Sequence, residues 1–492
     1  MKKRIMTMLL TFSLLLGTVT GCGGSRNTDT APVDSRTVSD TDTAEDSTID
    51  TYVRELAAGT DFGGASFSYI GRDGYDNFPA EEAITGQLLS DALYNRQCDI
   101  EELFGIDVIN IITADGSETK DMVIRDVAAG GDSYDLVYGS MLTVGQPLLI
   151  KSSIMPVDDF DAVDLSRDWW LSELSDTFSI EGRLYYLTGA IVPNNFRDAY
   201  CMAFNKDVAA SYGISDLYET VRAGEWTTDR MFEVASAVPA NSTGAGAYRY
   251  GHPTGYAFIF AGGLHITDFD SDGIPTVSEN LPSAFSDLAD RISAVFGDDT
   301  LTCIQRVSGS TAEDIDEKYG VDDLYDMFRD GRVLFWFDNS DRISDFREDD
   351  VEFGILPLPK GEGMSEYRTV GWDSAAVYVP RGAHDTSMAD RVIEAMAALS
   401  QKYLKSAFYD KLLKGRSTYD SESRDMIDII FATKHGDLIE SFSGGDMNSR
   451  GDFLNLIERA VTDGNDSLAS SYRACAKLIN ANIRQTVKSI SK

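Results

Sequence analysis

Four carboxylates in this chain stand at a spacing that suits a hard cation. Asp268, Asp270 and Asp272 alternate, Gly273 follows, and Glu279 completes the pattern D-x-D-x-D-G-x5-E. Calcium chemistry asks for that order: oxygens at alternate positions, a glycine for the sharp turn and a final bidentate glutamate. Two features oppose it. Pro275 falls inside the loop, and Gly262-Gly263-Leu264 offers no helix leading in. The same residues make a hairpin if Asp272-Gly273 forms a tight turn. The expectation is therefore a structural calcium ion or a plain hairpin, and no other cofactor. Catalytic signatures are missing: the chain has no G-x-S-x-G, no H-E-x-x-H and no P-loop. Its four histidines, His252, His265, His384 and His435, show no ligand-like spacing. Acids are so abundant that counting leaves a glycosidase-type carboxylate pair open.

The elements that would position such groups follow from periodicity. Ser66-Phe67-Ser68-Tyr69-Ile70 alternates and stops at Gly71, as a strand does. Leu88, Leu89, Ala92, Leu93, Ile100, Leu103 and Phe104 recur at helical spacing, and Gly105 ends that helix. A second strand over residues 106–112, a helix over 122–129 and a short buried strand over 135–139 complete a βαβαβ layer, which implies a mainly parallel sheet. In such sheets ligands sit at the carboxyl ends of strands, here Gly71-Arg72-Asp73 and Gly139-Ser140-Met141. A second α/β region begins after Tyr185-Tyr186-Leu187. It has strands expected at residues 199–204, 332–337, 351–357 and 375–380, and a helix opening at Trp226-Thr227-Thr228-Asp229 with a threonine cap. Residues 388–490 read mostly as amphipathic helix.

The N-terminus places the protein. Lys2, Lys3 and Arg4 precede the apolar run 5–16, and Val19-Thr20-Gly21-Cys22 closes it. That is a charged region, a short hydrophobic region and small residues before a cleavage point, too short for a permanent span. Cys22 directly after the small residues resembles a bacterial lipobox, so residues 1–21 read as a lipoprotein signal and Cys22 as the lipidated residue. Residues 22–60 read as a solvated, disordered linker rich in Ser, Thr, Asp and Gly. The protein is then anchored by lipid at the extracellular face of the cell membrane. With 80 acidic and 43 basic residues the net charge is −37, which excludes nucleic acid and anionic headgroups as partners. Cys98, Cys201, Cys303 and Cys475 are widely spaced, which suits either two disulfides or buried free thiols.

The order of several segments resembles the bacterial extracellular solute-binding proteins of carbohydrate ABC transporters (family 1 type). They are Tyr134-Asp135-Leu136-Val137-Tyr138, Tyr185-Tyr186-Leu187-Thr188-Gly189 and Ala203-Phe204-Asn205-Lys206-Asp207. Next come Leu217-Tyr218-Glu219-Thr220-Val221 with Gly224-Glu225-Trp226-Thr227, and Phe353-Gly354-Ile355-Leu356-Pro357-Leu358-Pro359-Lys360. Tyr409-Asp410-Lys411-Leu412-Leu413-Lys414-Gly415 ends the series. The resemblance runs from about residue 61 to the low 430s. The calcium-like loop is not part of the family pattern, and no sugar-contacting position transfers by motif. The resemblance implies an α/β, two-lobed periplasmic-binding-protein-like fold of type II, each lobe a mixed sheet flanked by helices, with the ligand cleft between them. It implies lobe 1 from residues 61–190 plus about 368–400 and lobe 2 from 191–367 plus about 401–492. The crossings fall near 189–196 and 368–379. It also implies a monomer that delivers a carbohydrate to the membrane permease subunits of an importer and does no catalysis itself. An oligopeptide or other polar-solute receptor is the rival binding module, and an extracellular glycan hydrolase the rival enzyme.

Sugars present C–H faces that stack on aromatic rings and hydroxyls that seek Asp, Asn and Arg. Trp336 with Asn339, and Trp372 with Asp373, set such groups beside strand ends. Arg72 and Asp73, Ser140 and Asn194 stand at the first strand end, the third strand end and the implied crossing. These eight are the candidate ligand contacts. Trp226, at a helix start, reads as core, and Trp169-Trp170 as packing.

Overall fold

The computed structural model of the 492-residue chain describes residues 40–72, 78–79, 83–171, 174–238, 246–249, 254–296, 302–305, 320, 324–371, 375–413, 421–442, 456 and 467–491. Helix α1 (Asp40–Ala57) opens it. Over residues 40–57 this corrects the expected disordered linker, of which residues 22–39 lie outside the described residues. Ile49, Tyr52, Val53, Leu56 and Ala57 recur at helical spacing, and Ile49 and Val53 are buried in the main core. The Ser/Thr/Asp composition hid that stripe.

Strands β1 (Ala65–Arg72), β2 (Ile106–Thr113) and β3 (Leu136–Ser140) pair in parallel around β1. Helices α2 (Leu88–Phe104) and α3 (Gly116–Ala128) connect them. Gly105 ends α2 in the left-handed region at φ 61°, and Asp115 caps α3 by accepting from the Glu118 amide at 2.9 Å. The chain then crosses through the one-turn helix α4 (Asn194–Arg197). It builds a second sheet from β4 (Tyr200–Asn205), β5 (Gly246–Arg249), β6 (Thr302–Gln305), β7 (Phe335–Asn339) and β8 (Phe353–Pro357). Strand β9 (Ala375–Tyr378) returns to the first sheet, antiparallel to β3. The strand orders are β9-β3-β1-β2 and β6-β5-β7-β4-β8.

Every residue of β4 is buried, because its sheet is covered on both faces. Period-two geometry then divides them. Tyr200, Met202 and Phe204 enter the main core, whereas Cys201 and Ala203 enter a second cluster with Trp336, Phe346 and Phe353.

Helix α5 (Thr386–Leu413) binds the two halves. Arg391 donates to the Leu56 carbonyl at 2.8 Å and Arg96 to the Ser400 hydroxyl at 2.9 Å, while Lys411, farther along, pairs with Asp341 just after β7. Phe196 of α4 stacks on Phe408 of α5 at 5.7 Å and meets Phe431 of α6 (Ser421–Ala432) edge-on at 5.1 Å. The last helix, α7 (Leu468–Ile490), reaches Ser152 through the Ser489 carbonyl. Among the described residues no helix is long and apolar enough to cross a membrane. Cys98, Cys201 and Cys475 are not joined in disulfides.

Candidate functional site

A cleft opens where the chain passes from one sheet to the other. It encloses about 350 Å³ of empty space, its open mouth included. Met141 contributes from the turn directly after β3, the carboxyl end of a parallel strand, where such sheets place ligands. Thr188, Asn194 and Asn195 come from the outward crossing, Gly371 from the return, and Lys434, His435 and Gly436 from the segment after α6. Leu171 and Phe178 supply apolar wall.

Local contacts set the path of the crossing. Gly189 has φ 150° and lies against the Trp169 carbonyl, which a Cβ would strike. Asn195 Nδ2 donates to the Gly189 carbonyl at 2.6 Å and to Thr188 Oγ1 at 3.1 Å, and Thr188 donates to the Ala375 carbonyl at 2.9 Å. On the return, Thr369 N donates to the Thr433 carbonyl and His435 N to the Thr369 carbonyl, both at 2.7 Å. This short parallel bridge fixes Lys434 beside Gly371.

Two polar groups in the cleft stand out. Asn194 is 4% exposed, and its Oδ1 is buried without a hydrogen-bond partner among the described residues. Lys434 is 9% exposed, and burial pushes its ammonium down to about 8, with Asp198 opposing the shift. A Cβ on Gly371 would lie 3.2 Å from Lys434 Nζ, so the missing side chain is what gives the amine room.

Of the eight expected contacts, Asn194 lines this cleft. Ser140 sits one residue before Met141, where its hydroxyl accepts from the Thr143 amide at 3.4 Å. Arg72 ends β1, half-buried, and is not among the lining residues. Trp336 requires correction. It is fully buried, 4.4 Å from the Tyr325 ring and 5.7 Å from Phe346, within the second core cluster. Asn339 is likewise engaged elsewhere, capping the helix Ser340–Asp345 by accepting from the Arg342 amide at 2.9 Å. Asp73, Trp372 and Asp373 lie outside the described residues, as does Cys22.

The calcium-like pattern folds as the hairpin, one of its two expected forms. Thr267–Phe269 and Pro275–Val277 form an antiparallel hairpin, and Asp270 Oδ1 accepts from the Asp272 and Ile274 amides, both at 2.9 Å. Gly273 turns it at φ 73°. With Asp270 holding its own turn, Asp268, Asp270, Asp272 and Glu279 do not converge. Among the described residues no three His, Cys, Asp or Glu side chains are grouped to hold a metal ion.

Lys434 and His435 were not among the expected contacts. The signal available was a Lys-His-Gly run at the end of an amphipathic helix, which reads equally as an ordinary helix terminus.

No protein-family model matches the chain, and neither does any curated protein. Its fold, however, is shared with solved structures. The sugar-binding protein MalE of Xanthomonas citri aligns with a TM-score of 0.55 at 12% identity, over 85% of this chain and 98% of that one. The GacH receptor of Streptomyces glaucescens, solved unliganded and with acarbose, gives 0.53 at 12% over 85% and 99%. UgpB of Mycobacterium tuberculosis, in complex with glycerophosphocholine, gives 0.53 at 14% over 86% and 99%. The chain therefore has the two-lobed α/β fold of type II periplasmic binding proteins, as expected from the sequence.

Proposed function

We propose that this protein is an extracellular solute-binding protein of an ABC importer, that it captures a saccharide in the cleft between its two sheets, and that it acts by binding rather than catalysis. The observation that carries the reading is the position and lining of the cleft. Outward and return crossings meet there, and the buried amide of Asn194, the Asn195 and Thr188 polar groups and Lys434 converge over apolar wall. A few placed polar groups on an apolar surface suit a hydroxylated ligand. The fold shared with the sugar-binding protein MalE and with the acarbose-bound GacH receptor supports the ligand class. Closure of one sheet-centred lobe on the other would seal the solute in, with the segments 189–196 and 368–379 as hinge.

The leader supports the location. Cys22 follows a short apolar run and small residues, so we place a lipid there and the folded body at the outer face of the membrane, as a monomer tethered through residues 22–39. Replacing Cys22 by Ser should release the protein into the medium; retention at the membrane would count against the anchor.

A thermal-shift screen tests the binding role. Neutral and acidic oligosaccharides, monosaccharides and peptides are compared, and a true ligand at about 100 times its Kd adds about 2.7 kcal/mol of stability. A response to peptides alone would move the assignment to a peptide receptor. Hydrolysed oligosaccharide after incubation would move it to an enzyme.

A further inference from the structure

We propose that the solute is acidic, a saccharide carrying a single negatively charged oxygen group that Lys434 receives beside a hydroxyl that Asn194 receives. This rests on the solute-binding reading above and narrows its ligand class. Lys434 is a buried cation in the wall of the cleft, and it forms no ion pair with any described residue. A buried charge with no ion-pair partner is costly even with Asp198 near, and a bound anion relieves the cost. Gly371 keeps the space beside the amine clear. Asn194 adds the second half of the recognition, because its buried, unpartnered Oδ1 calls for a hydrogen-bond donor. A carboxylate or phosphate ester beside a hydroxyl supplies both: the anion accepts from Lys434, and the hydroxyl donates to Asn194.

The charge of the whole protein limits the ligand to one such group. At −37 the surface repels a polyanion, but that field is screened beyond about 8–10 Å, whereas a contact inside the cleft is not. The titratable groups facing Lys434 are Asp198 at the end of α4, the buried Cys201 thiol of β4 and His435 next in sequence. Burial holds the ammonium at about 8. Binding of an anion must therefore raise that value, and affinity must fall as pH rises above it, by up to about tenfold per pH unit.

Calorimetry on the whole protein provides the test, with glucuronate, galacturonate, neutral oligosaccharides carrying one terminal uronate, glucose 6-phosphate and the matching neutral sugars as probes. The expected result is that an acidic probe binds at least about tenfold more tightly than its neutral counterpart near neutral pH. The preference should shrink when pH is raised beyond about 9, and Lys434→Met should bring the two affinities together. The uronate and phosphate arms show which oxygen group is taken. Equal affinity for neutral and acidic sugars, or a preference that survives Lys434→Met and Lys434→Gln, overturns the proposal and leaves the saccharide reading intact. If no sugar binds, acetate separates the two ideas. Acetate that raises the Tm of the native protein but not of Lys434→Met supports the anion site and sinks the saccharide reading, while no effect of acetate sinks both.

Discussion

Two buried charges in this protein have opposite surroundings. Glu394 of α5 is fully buried and accepts four hydrogen bonds: from Tyr52 Oη at 2.7 Å, Trp169 Nε1 at 3.1 Å, Trp170 Nε1 at 2.9 Å and the Asp164 amide at 3.2 Å. It ties α1 and the Trp169-Trp170 segment to the helix that spans both halves. Lys434 is almost as buried but faces a cleft, and forms no ion pair among the described residues, although the charge of Asp198 favours its ammonium. A buried charge with its partners inside the protein holds structure together, whereas one lacking them weakens the fold and marks a place for a ligand.

The contrast can be broken by substitution. The largest loss is expected from Trp336→Ala, because Trp336 belongs to the packed side: about 3–5 kcal/mol in denaturant unfolding, with any change in ligand affinity explained by the unfolded fraction. A selective loss of affinity with stability intact would return Trp336 to the cleft. Glu394→Ala should cost about 2–4 kcal/mol, since it leaves two indole N–H groups, a phenol and an amide without their acceptor. Lys434→Met should do the reverse and stabilise the unliganded protein by about 1–3 kcal/mol near neutral pH. If it destabilises as Glu394→Ala does, the two charges are alike and the comparison fails.

The same pair should separate on a pH scale. Burial raises the Glu394 carboxyl above the ordinary carboxylate range, so the native state keeps a proton that the unfolded chain has already lost. Its contribution to stability then falls as pH rises through that window. Lys434 lies at about 8 in the fold against 10.5 unperturbed, so between those values the unfolded chain binds the extra proton. Stability should rise across that interval in the native protein, and the Lys434→Met protein should lack that component. Smallest is the cap on the helix Thr228–Ser236, where Thr227 Oγ1 accepts from the Arg230 amide at 3.3 Å. Thr227→Ala should cost about 1 kcal/mol in thermal unfolding without touching ligand affinity.

Much of the layer order was legible before any coordinates. The alternation at 66–70, the apolar stripe ending at Gly105 and the apolar runs at 106–112 and 135–139 correspond to β1, α2, β2 and β3. Thr227 caps its helix as its position implied, and Trp226 is core, its indole donating to the Pro357 carbonyl at 3.1 Å. The helix α1 was missed because its stripe of Ile49, Val53 and Ala57 is diluted by small polar residues. The hairpin at Asp270 went undecided because one D-x-D-x-D-G pattern suits a cation and a tight turn alike.

The site was harder for a specific reason. In β7, Phe335, Trp336 and Phe337 are all apolar, because their sheet is covered on both faces. Alternation, the signal that assigns a side chain to one face, is then absent. Only the packing of Phe328 and Phe346 against the far face shows that Trp336 points away from the cleft.

The sequence by itself determined the order of strands and helices and the caps and turns, because these depend on neighbours a few residues apart. Tertiary structure decided which groups meet. Asn194, Gly371 and Lys434 are far apart along the chain, and no local pattern links them. They come together because β4 and β9 carry the chain out of and back into the first sheet, and because the short bridge from Thr369 to Lys434 holds the segment after α6 against that return. A solvated lysine and a buried one are the same letter in a sequence; burial, which shifts the charge and directs it into the cleft, is a property of the assembled fold.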